Sequence, residues 1–467
     1  MLECLTMIDF LTLRIPFKQS FVYERLDARG NYVGSVDLRQ IASITGLSLV
    51  SFETAFDIDQ SASVSKLAHS YESLPSHYTG VAFKIFEGGL NFEPSVEIKA
   101  SPAKILQGHN VFGPTDISLC ASELFGVLAS SQPVLFDMLD HQNTVVGRID
   151  VTFSARVANE VLAQQVLIFL SNVSHGQTKK TTANHHQSTV EWNKKSKTRE
   201  LIAYLKYQEL ISKLDSLKKK EKKSKLLDHE LSSLRVMSNP DLHEFARGLV
   251  RFEARLKPRF FQQNDLPRKL FDWVRYQSTY DGGGYQFIVD LWRKAFRDVF
   301  AALEGCDMNV FDDDDVFERL RMAYAVELKP KTKKPKSLQQ VVNMFDYSFG
   351  SPESSKSNFS TTHQSNFESN FTPDPDEPVR YSYAKAHRVF GFYRRLVNEG
   401  YEAVKLTMDR MTFWRAEKDL LDIGFSKAAL QNLQQNRTNV IPIIKMVNVD
   451  FTKQYPDWYT EPSSRFA

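Results

Sequence analysis

Apolar and polar residues alternate along "FLTLRIPF" (Phe10 to Phe17), the period-two pattern of a half-buried strand. "RIDVTFS" (Arg148 to Ser154) alternates too, with Ile149, Val151 and Phe153 on one face and Arg148, Asp150, Thr152 and Ser154 on the other. In "LVRFEARLK" the alternation is strict: Val250, Phe252, Ala254 and Leu256 oppose Arg251, Glu253, Arg255 and Lys257. "GVAFKIFEGGLNFEPSVEIKAS" reads as a hairpin with Gly88 and Gly89 near its turn. "STVEW" and "ELIAYLKY" read as two more strands. Helical periodicity runs through "ANEVLAQQVLIFLSNV", through "SNPDLHEFA" with its Asn-Pro start, and through the amphipathic "GYQFIVDLWRKAFRDVFAALEG". The pattern predicts an α+β architecture, an antiparallel sheet with helices packed on one face.

The periodicity breaks at about Lys329. From there to Val379 the chain is rich in Ser, Asn, Lys and Pro and poor in aliphatics, and it repeats "SNF" three times. Such a segment buries too little apolar surface to offset ordering, so residues 329–379 read as a disordered linker. Beyond it, residues 380–467 read as a small, mostly helical domain. A helix-turn-helix-like pair is expected around Met411 to Leu433, a basic patch at Arg394 and Arg395, and a strand or two in the tail "NVIPIIKMVNVDFTKQYPDWY".

Composition narrows the class. The 467 residues are 42% hydrophobic and 25% charged, as in a globular protein, and no run of 18 apolar residues offers a membrane span. Cys4, Cys120 and Cys306 match no metal or disulfide framework, and a reducing, cytoplasmic setting is expected. The net charge is only +3, but its distribution is uneven: Lys213 to Lys225 holds seven lysines against Asp215 and Glu221, and "NKKSKTR" is a second basic run. These blocks suit phosphate neutralisation or simply a solvated helix face.

Two constellations could carry chemistry. One is a set of carboxylates on polar strand faces, Glu97, Asp150 and Glu253, with His109 nearby in the sequence; hard cations such as Mg²⁺ or Mn²⁺ take such ligands, and ordinary ion pairing is the alternative. The other is "RELIAYLKYQEL". On a strand, Ile202, Tyr204 and Lys206 share a face, which puts a cation beside a phenol, while Tyr207 points the other way. A neighbouring cation favours the phenolate and so a tyrosine nucleophile; a cross-strand packing aromatic is the alternative. There is no P-loop, no GxGxxG after a strand, no GxSxG and no HExxH, so nucleotide-dependent chemistry loses ground.

"ESLPSHYTGVAFKIFEGGLNFEPSVEIKASPAKILQGHNVFG", "RIDVTFSAR", "SNPDLHEFARGLVRFEAR", "VFGFYRRLVNEGYEAVKLTM" and "VNVDFTKQYPDWYTEP" resemble the gene II replication initiators of filamentous bacteriophages over nearly the whole chain. The resemblance implies a rolling-circle initiator in the host cytoplasm, with an initiator-like endonuclease core. It would bind double-stranded origin DNA, nick the viral strand through a 5′-phosphotyrosine, and later cut and rejoin the displaced single strand. Host helicase and polymerase would be its partners, and it could act as an oligomer on DNA. The implied division is residues 1–307 for origin binding and nicking, 308–328 as a connecting helix, the linker, and 380–467 for DNA binding.

Residue by residue, "AYLK" makes Tyr204 the nucleophile and Lys206 its helper. "VEI" and "RID" make Glu97 and Asp150 ligands of Mg²⁺ or Mn²⁺, with His109 and Glu253 as weaker candidates. Lys194, Lys195, Lys197, Arg199, Arg251 and Arg255 become phosphate contacts. The His-hydrophobic-His pair of many initiators is missing, since His185 and His186 are adjacent. "MID" suggests Met7 as an alternative start, and "GCDMNVFDDDD" suggests an internal start at Met308 for a product of residues 308–467. A non-catalytic origin-binding regulator is the competing reading.

Overall fold

Eight strands pair into one antiparallel sheet in the computed structural model, which describes residues 6–27, 29–52, 66–90, 92–157, 159–174, 188–301, 313–328, 381–434 and 455–466. The expected linker, His185, His186, Met308 and most of the strand-like tail before Tyr455 lie outside the described residues. In chain order the strands are β1 (Thr6–Pro16), β2 (Glu72–Pro75), β3 (Gly80–Phe86), β4 (Ser95–Ala100), β5 (Val145–Arg156), β6 (Thr189–Trp192), β7 (Arg199–Leu205) and β8 (Leu249–Leu256). In space they run β6-β7-β8-β5-β1-β4-β3-β2. The first strand therefore lies near the middle of the sheet, between β5 and β4. The β3–β4 hairpin forms as its alternation predicts. A short helix, α1 (Pro102–Gln107), follows β4 directly.

Alternation gives the sheet two unlike faces. One carries Leu11, Leu13, Val151, Phe153, Ala203, Phe252 and Ala254, all buried. Against it pack α2 (Ile117–Ser131), α3 (Glu160–Leu170) and α7 (Gly283–Ala301). Trp292 of α7 sets its ring 4.6 Å from Phe153 and donates its indole N–H to the Phe252 carbonyl at 3.2 Å. The helix-on-one-face layout expected from the sequence is what forms the main core.

The opposite face is polar. Cross-strand register places Tyr204 opposite Arg251 and Arg251 opposite Ser154. Glu253 faces Thr152, and Arg255 faces Asp150. Arg14 faces Glu97, which faces Lys84. One corner of this face is covered by a second helical layer, α4 (Lys206–Glu221), α5 (Asp228–Met237) and α6 (Pro240–Ala246). Leu210, Leu214 and Leu217, spaced along one side of α4, join Leu234, Met237, Leu242, Val111 and Phe112 in a separate apolar cluster. Asn239 caps α6 by accepting from the Asp241 amide at 2.9 Å, and Pro240 holds the first helical position.

The helical layer corrects one expectation. "ELIAYLKY" is not strand throughout: β7 ends at Leu205, and Lys206 is the first residue of α4. The apolar spacing changes from two to four at Leu210, so the strand pattern is lost just after the tyrosine.

Beyond the linker, α9 (Ala384–Glu399) packs on α8 (Asp313–Tyr324), with the Phe317 ring close to those of His387 and Phe390. The expected helix pair forms as α11 (Arg410–Asp422) and α12 (Lys427–Asn432), preceded by the short α10 (Tyr401–Thr407). Ala428 to Asn432 are all buried, and Gln431 and Asn432 bond to Ser174 and Asn172 of the sheet region. The second helix thus docks against the sheet region. No helix among the described residues is long and apolar enough to cross a membrane.

Candidate active site

Tyr204 lies one strand in from the sheet edge, on the polar face, and is 9% exposed. Although Lys206 has left the strand, the tight entry into α4 keeps its amine beside the phenol, 6.0 Å from the ring centroid. The amine is fully buried. It donates to Asn110 Oδ1 at 2.8 Å and to Glu209 Oε2 at 2.5 Å. Burial pushes Lys206 down to about 8 despite Glu209. Glu209 is raised by its own burial but held at about 2 by Lys206 and Lys104.

The partner of Lys206 belongs to a loop, His109 to Gly113, that roofs this corner. Gly108 ends α1 in the left-handed conformation (φ +81°), where a Cβ would meet the Tyr78 ring at 3.1 Å, and so launches the loop. Asn110 donates through Nδ2 to Asp9 Oδ1 at 2.7 Å. Asp9 can reach it because the β1–β5 register shifts between Ile8 and Phe10, a bulge that re-aims the side chain. Neither residue was singled out from the sequence. A bulge carries no alternation signal, and Asn110 sits in a loop.

Arg251 was expected to meet DNA phosphates. It is instead turned inward and 1% exposed. Its guanidinium donates to Ser154 Oγ at 3.0 Å and to the carbonyls of Asn110 and Val111. These acceptors are neutral, and among the described residues no carboxylate pairs with it. A buried guanidinium with no direct carboxylate partner among the described residues therefore lies directly across the strand from Tyr204. Burial and the Glu253 charge hold the Tyr204 phenol well above its ordinary value, Arg251 pulls it down, and Asp9 and Glu209 push it up.

The expected metal set is not brought together. Glu97 and Asp150 do share the polar face, but β1 lies between them and their β1 partners, Arg14 and Phe10, are four residues apart. Strand spacing and rise put them about 16 Å apart, too far for one ion. Glu97 is held by Arg14 at 2.7 Å and by the Tyr71 hydroxyl at 2.5 Å, and Asp150 by both arms of Arg148. Burial raises Asp150 to about 7 against the pull of Arg148. His109 stands in the Lys206 corner; burial, with Lys206 and Arg251 beside it, pushes it down to about 3, so it is neutral. Among the described residues no three His, Cys, Asp or Glu side chains converge on a point. As arranged, Glu97, Asp150 and His109 do not fit Mg²⁺ or Mn²⁺. Glu253, the weaker candidate, is the strand carboxylate whose charge reaches Tyr204 most strongly.

The other expected phosphate contacts divide. Lys194, Lys195 and Lys197 are exposed, with Lys194 lightly paired to Glu191. Arg199 is engaged by Asp298 at 2.6 Å, and Arg255 by Glu253 at 2.7 Å with Asp150 and Glu200 near it. Those two arginines are ion-pair partners rather than free surface cations. The lysines from Lys218 to Lys225 are exposed at the end of α4.

Tyr207 is not on the strand but in the first turn of α4. Its ring packs beside the α4–α6 cluster, 5.4 Å from the Arg247 guanidinium.

Two models of one family, described as a replication-associated protein, match the chain: its N-terminal model over residues 7–282 and its C-terminal model over residues 379–465. The replication-associated protein of Salmonella phage IKe is 51% identical across 98% of this chain and 97% of its own. That of Enterobacteria phage M13 is 44% identical across 99% and 100%. A solved rolling-circle replication initiator from Geobacillus stearothermophilus aligns with 63% of this chain and 84% of its own at 9% identity, with a TM-score of 0.21, too loose a match to bear on the site.

Proposed function

The chain belongs to the replication-associated protein family of filamentous phages, and from that premise we propose that it is a rolling-circle initiator whose nucleophile is Tyr204. The observation that carries the assignment is the pairing of Tyr204 with Arg251, a buried cation bonded only to neutral groups.

In the proposed step, Tyr204 Oη attacks the phosphorus of the scissile phosphodiester. The bond from phosphorus to the 3′ oxygen breaks as the bond to Oη forms. The phenol proton passes to the departing 3′ oxygen, which leaves as a hydroxyl, and the 5′ end stays on the protein as a phosphotyrosine. At rest the phenol is protonated, because burial and nearby carboxylates disfavour the anion. As negative charge builds on the phenol and phosphoryl oxygens, Arg251 and Lys206 lie beside it, already desolvated and fixed in place. Since the phosphotyrosine retains the energy of the broken bond, a returning 3′-hydroxyl can reverse the step without ATP. That allows the displaced strand to be rejoined into a circle.

The exposed lysines of α4 and of residues 194–197 would hold the DNA backbone, and host helicase and polymerase would use the freed 3′ end. The setting would be the host cytoplasm.

Tyr204→Phe tests the reading on supercoiled origin DNA. The variant should bind the origin but neither nick it nor form a covalent adduct. Retained nicking overturns the assignment. A wild-type chain that binds the origin but never nicks would point to a regulator instead.

A further inference from the structure

The roof loop is held from two sides. Its inner side carries the acceptors for Lys206 and Arg251. Its outer side is covered by residues 455–466, at the other end of the chain. Phe112, buried in the α4–α6 cluster beside Phe245, also meets the rings of Tyr459, Trp458 and Tyr455 at centroid distances of 4.8, 5.6 and 6.2 Å. Tyr455 and Tyr459 stack on each other at 4.4 Å, and the Tyr455 hydroxyl donates to the Gly113 carbonyl at 3.2 Å. Farther along, the Arg465 amide donates to Glu123 Oε1 at 2.9 Å, and its guanidinium donates to the Leu106 carbonyl at 3.3 Å. The tail thus grips the loop and the helices on both sides of it.

We propose that this C-terminal tail is a latch that completes the nicking site, with Trp458 and Tyr459 as positioning residues acting through Phe112. The inference rests on the reading of Tyr204 as nucleophile. The catalytic cations are bonded to atoms of a five-residue loop, so their placement is only as firm as the loop. A rigid aromatic stack on the far side of the loop supplies that firmness from a part of the sequence more than 300 residues away. The 7–282 region is then not self-sufficient for chemistry. Its reactive geometry depends on whether the tail is docked.

The test is single-turnover nicking of supercoiled origin DNA by full-length variants, with origin affinity measured in parallel. Tyr459→Ala should slow nicking at saturating DNA by between roughly tenfold and a hundredfold, the loss expected when a supporting contact lets a catalytic group drift by about 1 Å. Origin affinity should not change. Tyr459→Phe should nick at the wild-type rate, because the buried Tyr459 hydroxyl has no hydrogen-bond partner among the described residues. Adding Tyr459→Ala to Phe112→Ala should add little to the loss from Phe112→Ala alone, since that variant already breaks the shared contact. Trp458 is half exposed, so Trp458→Ala empties no core, and it should slow nicking with an unchanged melting temperature.

Wild-type nicking rates in Tyr459→Ala and Trp458→Ala overturn the latch, as do losses confined to DNA affinity. If Tyr204→Phe is inactive while Tyr459→Ala is not, only the latch fails. If Tyr204→Phe still nicks, the functional reading beneath it fails.

Discussion

Two corners of one polar sheet face, around Glu97 and around Tyr204, are built from similar residues and do different things. At Glu97 the carboxylate is held by charged partners. Arg14 holds one oxygen, the Tyr71 hydroxyl and Lys99 lie at the other, and Lys99 sits 3.4 Å over the Tyr71 ring. Both carboxylate oxygens are thereby occupied. At Tyr204 the buried cation Arg251 donates to a hydroxyl and two carbonyls, and Glu209 acts on it only through space. Leaving a guanidinium desolvated without an anion is costly, and such arrangements cluster where a charge develops during reaction. Residue types are alike in the two corners, but Arg14 and Tyr71 are half exposed where Arg251 and Lys206 are buried. They differ also in that Arg251, unlike Arg14, has no direct carboxylate partner among the described residues.

Breaking the Tyr204 corner should have the largest effect. Arg251→Gln removes the buried charge but keeps hydrogen-bonding capacity. It should lower the nicking rate by roughly a hundredfold to a thousandfold, as the loss of one preorganised donor does elsewhere. Origin affinity should change little, because Arg251 is inside; a loss mainly of affinity would restore it as a phosphate contact. Single-turnover nicking beside a binding titration separates these outcomes.

Lys206 sharpens the same corner through pH. With its amine pushed down to about 8 by burial, it is charged below that value and neutral above it. The wild-type nicking rate should therefore fall as pH rises through about 8. Lys206→Gln should lower the plateau and abolish that fall. An unchanged descending limb in the variant would remove Lys206 from the chemistry.

The smallest effect on chemistry is expected at the other corner. Glu97→Gln should nick within about a factor of three of wild type, while the melting temperature falls by ~2–4 °C for each kcal/mol of ion pairing lost. Burial acts to raise Glu97, but Tyr71 and Arg14 hold it below its usual range. Its stabilising contribution is thus present at neutral pH and disappears as the solution is acidified through that lowered value. Abolished nicking in Glu97→Gln would contradict the comparison and reinstate Glu97 as a ligand.

The strands around both corners were legible in the sequence because alternation reports directly on which face each residue joins. β5 and β8 form with the faces read from "RIDVTFS" and "LVRFEARLK". The separation of Glu97 from Asp150 was not legible. It depends on β1 inserting between their strands and on register, which alternation leaves undetermined. The helix start at Lys206 was hidden because Leu205, the residue before it, provides no side-chain cap, and the apolar residues run through the boundary. Tyr204 and Lys206 were found as neighbours for a strand-based reason, and they remain neighbours for a different one, the turn into α4. Asp9, Asn110 and the inward course of Arg251 emerge only from the bulge and the roof loop.

The central claim is that Tyr204 bears the covalent link, and mapping the adduct tests it most directly. Trypsin cleaves after Arg199 and after Lys206, so Tyr204 falls in the peptide Glu200–Lys206 and Tyr207 in the next one. After trapping the nicked complex and digesting both DNA and protein, mass spectrometry should find the nucleotide remnant on Glu200–Lys206. A remnant on the peptide that begins at Tyr207, or on any other tyrosine, would contradict the account.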